Sequence, residues 1–242
     1  MKYINVDVFG DNVTALTTTL ELGNVAFQVG DNHDEVKEAR TTVSKDLGID
    51  INDFIFTYQN HTTIMHQVTA VHKGMGAHSF ESGVYADALY TKEYNVPIGV
   101  FHADCAPIFF YVPDHKIVGI IHAGVKGSID EITFKSLFSL IIQENIDPRS
   151  IRLHFGPSLK QTHQIIKPEE AEYLKMHGYN NCLEGLHLDK VKLNVEQALR
   201  LGVLNENITY SDIDTYENDN LFSFANKEKK IGRMASIIFL KQ

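Results

Sequence analysis

The sequence is poor in the features that would assign it to a class at once. Among its 242 residues there are only two cysteines, Cys105 and Cys182. That excludes a disulfide framework and a Cys-x-x-Cys metal knuckle, so a metal site would have to lean on histidine. Cationic side chains are also scarce: 22 Lys and Arg stand against 31 Asp and Glu, a formal net charge of -9. Such a balance argues against broad attraction to nucleic acid or anionic lipid, both of which need clustered positive charge. The one basic cluster, Lys227 to Lys230, is interrupted by Glu228 and reads as a solvated loop. The N-terminal MKYINVDVFGDNVT has no basic segment followed by an apolar stretch, and no run anywhere approaches the roughly 20 apolar residues of a membrane span. A cytoplasmic protein with neither membrane nor nucleic-acid partner is expected. Low-complexity tracts, proline-rich linkers and fixed-period repeats are missing too, so nothing marks a boundary and residues 1–242 read as one domain.

What is present is enough apolar residue, 43%, to build a core without a staple. Short β-like pieces are expected at Ala15 to Leu20 and Val25 to Val29, a helix from Asp34 to about Leu47, and a strand at Phe54 to Tyr58. The middle is the most legible part. Ile98 to His102, Ile108 to Val112 and Ile117 to His122 are rich in Ile, Val and Phe, and the turn at Pro113-Asp114 predicts that the last two form a hairpin. Ser128-Ile-Asp-Glu131 has the pattern of a capping box opening a helix to Glu144 or Asn145, with Phe134, Leu137, Phe138 and Ile141 as its buried stripe. Further on come a strand at Ile151 to Phe155, helices at Pro168 to Met176 and Leu193 to Leu201, and strands at Ile208 to Ser211 and Ala235 to Leu240. Hairpin-linked strands mixed with helices favour an α+β fold, with mixed, largely antiparallel sheets flanked by helices.

The hairpin carries chemistry. A loop centred between Pro113 and Asp114 pairs residues whose numbers sum to a constant, and Cys105 and His122 satisfy that sum, so they are expected to face each other. Directly opposed residues in an antiparallel pair have Cβ atoms roughly 4.5–5.5 Å apart, within reach of one cation. A third ligand must come from elsewhere among twelve histidines. His61, His66, His72 and His78 all precede the hairpin, whereas the odd interval from His102 to Cys105 predicts that His102 points to the other face.

Local sequence narrows the choice. Gln59-Asn60-His61, Ala86-Asp87-Ala88-Leu89, His102-Ala103-Asp104-Cys105-Ala106-Pro107, His122-Ala123-Gly124-Val125-Lys126-Gly127 and Gly232-Arg233-Met234-Ala235 together resemble the laccase-domain, or polyphenol-oxidase-like, family. The resemblance runs over nearly the whole chain, in the same order. It implies zinc held by His61, Cys105 and His122, and zinc-dependent phosphorolysis of adenosine, inosine, guanosine and S-methyl-5'-thioadenosine, with adenosine deaminase activity beside it. Purine nucleoside and phosphate are then the partners, and the chain a monomer or homodimer. Three protein ligands leave a fourth position open, the pattern of a catalytic zinc.

Departures from the family accompany the likeness. A usual Trp-Arg pair is replaced by Val125-Lys126, keeping positive charge but losing a bidentate grip on an oxyanion. After Gly156-Pro157, a second Gly-Pro with paired cysteines is replaced by Lys160-Gln161-Thr162-His163, and a later cysteine by Asp214. Asp104, beside a ligand, is a candidate catalytic acid or base. Lys126, between a metal ligand and a helix N-terminus, is a candidate for catalysis and for binding phosphate. Arg233 is a second candidate anion partner, on the resemblance. Two other classes remain open: a copper-dependent polyphenol oxidase, because a Cys/His set also takes copper, and a non-catalytic zinc-stabilised binding protein.

Overall fold

Two β-sheets face each other, with helices on their outer faces, in the computed structural model, which describes residues 1–30 and 32–242. In chain order the elements are β1 (Tyr3–Asn5), β2 (Val13–Thr18), α1 (His33–Leu47), β3 (Ile55–Phe56), β4 (Met65–Gln67), β5 (Ala88–Thr91), β6 (Ile98–His102), β7 (Ala106–Val112) and β8 (Ile117–Ala123). Then follow α2 (Val125–Ile129), α3 (Ile132–Glu144), β9 (Arg152–Phe155), α4 (Pro168–Met176), β10 (Leu183–Glu184), β11 (His187–Leu188), α5 (Lys190–Arg200), β12 (Ile208–Tyr210) and β13 (Met234–Leu240).

The first sheet has the order β1-β2-β13-β6-β3 and the second β12-β9-β7-β8-β5-β4. Most neighbours are antiparallel; β3/β6, β4/β5 and β9/β12 are parallel. The fold is therefore α+β with mixed, largely antiparallel sheets. Strand alternation sets the layers. Ile98 and Val100 of β6, Phe109 of β7, and Val118 and Ile120 of β8 fill the space between the sheets. Ile108, Phe110 and Ile121 point the other way, onto Leu137 and Leu140 of α3 and Ala198 of α5. Phe101, Ala235 and Ile237 cover the first sheet's outer face with Ala39 and Val43 of α1. Gly119 stands opposite Phe110, and a Cβ there would lie 1.9 Å from the Phe110 ring, so the missing side chain lets that ring cross the strand.

Four expectations need correcting. Val25 to Val29 is not a strand. The Asn24 amide donates to the carbonyls of Ala26 (3.0 Å) and Val29 (2.6 Å) and accepts from the Ala26 N–H, folding the segment into a turn. In the hairpin, Val112 opposes Ile117 and Pro107 opposes His122; the register is two residues from the one expected, because a 3-10 turn over Pro113–His115 takes up the extra residues. Ser128 caps nothing: Gly124 is the N-cap of α2, and Ser128 lies buried inside that helix, its hydroxyl accepting from Asn194 Nδ2 at 2.8 Å. Glu131, at φ 63°, then breaks the chain before α3. Finally, α3 buries Thr133, Ser136, Leu137 and Leu140, while Phe138 is 50% exposed. Across the pair with α5, the Thr133 hydroxyl donates to Asn194 Oδ1 at 2.7 Å and the Phe134 N–H to Gln197 Oε1 at 3.4 Å, while the buried Ser136 hydroxyl has no partner among the described residues. Hydroxyls thus share the inner positions with Leu137 and Leu140, and the Phe138 ring does not.

Candidate metal centre and its cavity

The site is anchored by a carboxylate. Asp87, fully buried just before β5, accepts from the backbone N–H groups of Asn60 (3.1 Å), His61 (3.1 Å) and Thr62 (2.7 Å) and from the Thr62 hydroxyl (2.8 Å). Its Oδ1 also lies 2.8 Å from Nδ1 of His122, whose backbone N–H donates to the Asp87 carbonyl at 2.7 Å. One side chain thus fixes both the loop carrying His61 and the ring of His122, leaving Nε2 of His122 as its free ring nitrogen. The loop pays a conformational cost, since His61 adopts φ 54°. Burial alone would raise the Asp87 carboxyl, but His122 and Thr62 outweigh it and hold it below its ordinary value.

Donor atoms of His61, Cys105 and His122 all lie within 4.8 Å of one another, the one such group of three among the described residues. The structure thus brings together the three residues singled out as ligands. It also explains why a wrong register did so. Cys105 lies just before β7, two residues from the true partner Pro107, and a shift of two keeps a side chain on its face where a shift of one would reverse it. Gly124 completes the pocket: a Cβ there would lie 2.6 Å from Nδ1 of His61 and 3.1 Å from Sγ of Cys105. Burial raises the Cys105 thiol and lowers His122, but each outweighs that effect on the other: the thiol is held low, and His122, helped by Asp87, rises to about 9. A soft thiolate, two imidazoles, an oriented second shell and a space kept clear by glycine fit a transition-metal ion. Cys182 plays no part; both cysteines are free, and Cys182 is buried among Ile166, Leu174 and Leu193.

These ligands sit in the wall of a cavity of about 620 Å³. Phe80, Phe101, Val125, Leu159 and Phe224 give it apolar surface, and Phe224, 64% exposed, marks the rim. Lys126 lines it from the mouth, exposed and paired with Asp130 at 2.6 Å. Arg233 also lines it, and its guanidinium donates to a single carbonyl, that of Gly232, at 2.8 Å. Asp104 lies on the lining as well, at φ 85°, with both carboxylate oxygens engaged: the Thr215 hydroxyl donates at 2.6 Å and the Ala225 N–H at 2.7 Å.

His102 overturns its expectation. It lines the same cavity as Cys105, because the chain crosses from the first sheet to the second between β6 and β7, and a parity count holds only along one strand. Two residues went unread as functional. Asp87 was visible as a lone acid between alanines at the start of a strand. Lys190, buried on the cavity lining, opens α5 directly after the N-cap Asp189, where a cation opposes the helix dipole; that misplacement was its signal.

The family described as multi-copper polyphenol oxidoreductase laccase matches residues 15–241. The chain belongs to that family. It is similar to a protein named purine nucleoside phosphorylase YlmD from Bacillus subtilis strain 168, 27% identical over 228 residues, covering 90% of this chain and 82% of that one. A Staphylococcus epidermidis relative, also named a purine nucleoside phosphorylase, is 26% identical over 228 residues, covering 89% and 83%. Among solved structures, the Bacillus licheniformis hypothetical protein YfiH superposes with a TM-score of 0.93 at 27% identity, covering 99% and 97% of the two chains. YlmD from Geobacillus stearothermophilus gives 0.87 at 26%, covering 96% and 93%. No helix among the described residues is long and apolar enough to cross a membrane.

Proposed function

We propose that this protein cleaves purine nucleosides with phosphate, as the names of its relatives describe for them. The observation that carries the reading is the convergence of His61, Cys105 and His122 in the wall of a cavity that also presents aromatic faces and cations. The apolar wall of Phe80, Phe101 and Phe224 suits a purine ring, which gains by stacking. Lys126 and Arg233 suit the anion that phosphorolysis must bring to the sugar. Asp104 acts on this reading as a positioning residue, holding the Thr215 to Ala225 wall against the cavity through a hydrogen bond to each of its oxygens.

Zinc is the ion proposed for His61, Cys105 and His122; bound there, it would supply a Lewis acid toward an anion or water. A thiolate with two imidazoles is also a copper donor set, and metal analysis of protein expressed without added copper separates the two. Adenosine deamination is the second arm of the proposal, with adenosine, inosine, guanosine and S-methyl-5'-thioadenosine as the candidate substrates.

One assay tests the whole reading. Zinc-loaded protein is incubated with adenosine, with and without phosphate, and the products are identified. Adenine and ribose 1-phosphate appearing only with phosphate support phosphorolysis, and inosine forming without it supports deamination. If adenosine survives both incubations, the proposal fails and a non-catalytic zinc-binding protein becomes the better account. Phenol oxidation dependent on added copper would favour the oxidase instead.

A further inference from the structure

We infer that Lys190, with His102 and Arg233 beside it, forms an inner oxyanion subsite of the phosphate class, separate from the Lys126 rim. Two buried cations, Arg40 and Lys190, are enclosed differently. Arg40 has no acidic partner and its Nη2 is a buried nitrogen without a hydrogen-bond partner among the described residues, but Nε donates to the Val25 carbonyl, Nη1 to those of Gly76 and Ala77, and the guanidinium lies 4.4–4.9 Å from the rings of Phe27, Phe56 and Phe101. Lys190 is as buried, 1% exposed, but far less well enclosed. Its ammonium donates to the Asp104 carbonyl at 2.7 Å and to Gln164 Oε1 at 3.2 Å, both neutral, and its third N–H has no partner among the described residues. No ion pair within the described residues involves it, it stands in the first turn of α5, and it borders the cavity. A buried ammonium is costly unless paired, and the positive end of a helix adds to that cost. An anion entering the cavity would remove both penalties.

His102 supplies the second, independent observation. It is 1% exposed, it lies on the same lining, and its Nδ1 is a buried nitrogen with no partner. Its Nε2 lies 2.8 Å from Ser236 Oγ, which lies 2.7 Å from Thr17 Oγ1. Counting protons along this chain favours one tautomer. If Thr17 donates to Ser236 and Ser236 to Nε2, each hydroxyl proton is used and Nδ1 carries the ring hydrogen. In the opposite direction the buried Thr17 proton would have no acceptor in addition to the unpaired Nδ1. His102 therefore carries a buried, unpartnered N–H on a residue of the cavity lining. Burial, reinforced by His122, Lys190 and Arg233, holds it at about 3, so the ring is neutral.

The inner wall thus collects an ammonium N–H, an imidazole N–H and a guanidinium with one carbonyl partner. The Asp104 carboxylate and the Cys105 thiolate on the same lining offset part of this positive charge, but no carboxylate among the described residues accepts a hydrogen bond from these three groups. Asp104 accepts from the Thr215 hydroxyl and the Ala225 N–H, and one oxygen of Glu170 accepts the Lys167 N–H at its own helix start. Donors of both charged and neutral kinds gathered on one wall fit a tetrahedral oxyanion. Such an oxyanion can be free phosphate or the phosphate ester of a nucleoside. That it serves as co-substrate rests on the phosphorolysis reading; the subsite itself does not.

The test is equilibrium binding by calorimetry, on zinc-loaded full-length protein, of inorganic phosphate and separately of adenosine 5'-monophosphate. Lys190→Gln keeps a donor toward Asp104 but removes the charge, and is expected to weaken the anion roughly tenfold to a hundredfold, the range of a charged hydrogen bond. Lys190→Arg should restore most of the affinity, and His102→Ala should weaken it a few-fold. Loss of phosphate affinity in Lys190→Gln supports the subsite with free phosphate as its ligand. Loss confined to the monophosphate supports it with an anion carried on the nucleoside, and it is then the phosphorolysis reading that falls. Unchanged affinity for both ligands overturns the inference even if adenosine is phosphorolysed, as does a wild-type protein that binds neither at millimolar concentration. Should Lys190→Gln melt before it can be titrated, Lys190→Arg and His102→Ala decide: equal affinity for wild type and His102→Ala overturns the subsite.

Discussion

The two sides of the cavity are built differently. On the metal side, His122, the last residue but one of β8, opposes Pro107 of β7, and Asp87 binds the His61 loop to that strand end. The opposite wall, from Gly156 to Ile166 and from Ser211 to Arg233, contains almost no ladder and is held by side chains. Asp104 grips Thr215 and Ala225. Lys160 donates to the Ser211 carbonyl, Lys229 to those of Thr215 and Asn218, and His163 lies between Asp214 (2.9 Å) and Glu217 (3.1 Å). A strand end gives one placement, which a metal centre needs. A wall of separate polar ties can change residue by residue without disturbing the sheets, as a substrate surface must when specificity shifts. His163 and Asp214 illustrate such a tie, meeting each other within that wall.

Breaking the metal side should have the largest effect. Asp87→Ala strands three backbone N–H groups, a hydroxyl and the His122 ring at once, so a loss of about 3–5 kcal/mol is expected, the cost of breaking a buried charged pair. For a chain of this size that lowers Tm by roughly 10 °C, and metal content measured on the purified variant should fall with it. A wild-type Tm and full metal occupancy would show that Asp87 does not anchor the site.

His122→Ala sharpens the contrast. Here the Asp87 carboxylate keeps its four other donors, so the fold should survive while bound metal and nucleoside turnover disappear together. Chelation of wild-type protein should have the same signature: circular dichroism unchanged, activity gone, and activity restored by zinc. Unfolding on chelation would make the metal structural and favour the binding-protein reading.

That contrast also explains what the sequence made legible. Strands of β6, β7 and β8, with their Ile, Val and Phe, could be read because burial on both faces forces such composition, and the ligand pair followed from them despite the register error. Unreadable parts depend on contacts across the chain. Nothing local says that Asn24 will capture Val29, that Asn194 will occupy the Ser128 hydroxyl, or that a crossover between sheets will turn His102 toward Cys105. Lys190 could be noticed as a cation at the wrong end of a helix, but only the fold sets it beside the cavity.

A change in the opposite wall should be milder. Asp104→Asn keeps the shape and one acceptor but replaces the other oxygen by a donor, which Thr215 or Ala225 would face. About 1–3 kcal/mol of local stability is at stake, and because the tie spans the wall and not the metal, KM for nucleoside should rise more than kcat falls, with metal content unchanged. A variant that loses metal, or loses kcat alone at unchanged KM, would place Asp104 in the chemistry.

The smallest effect is expected at Lys126, and it separates rim from interior. Its ammonium is exposed and shared with Asp130, and exposed ion pairs are typically worth less than about 1 kcal/mol. Lys126 can therefore help draw an anion toward the mouth without holding it tightly. Lys126→Ala should raise the phosphate concentration needed for phosphorolysis by no more than a few-fold, and the difference from wild type should shrink as salt is added, because a solvated charge is screened over about 10 Å at 0.1 M. Phosphate-independent deamination should be less affected. Equal loss of both activities would show that Lys126 does not act through phosphate. A salt-independent loss as large as that expected for Lys190→Gln would mean that the rim, and not the interior, holds the anion.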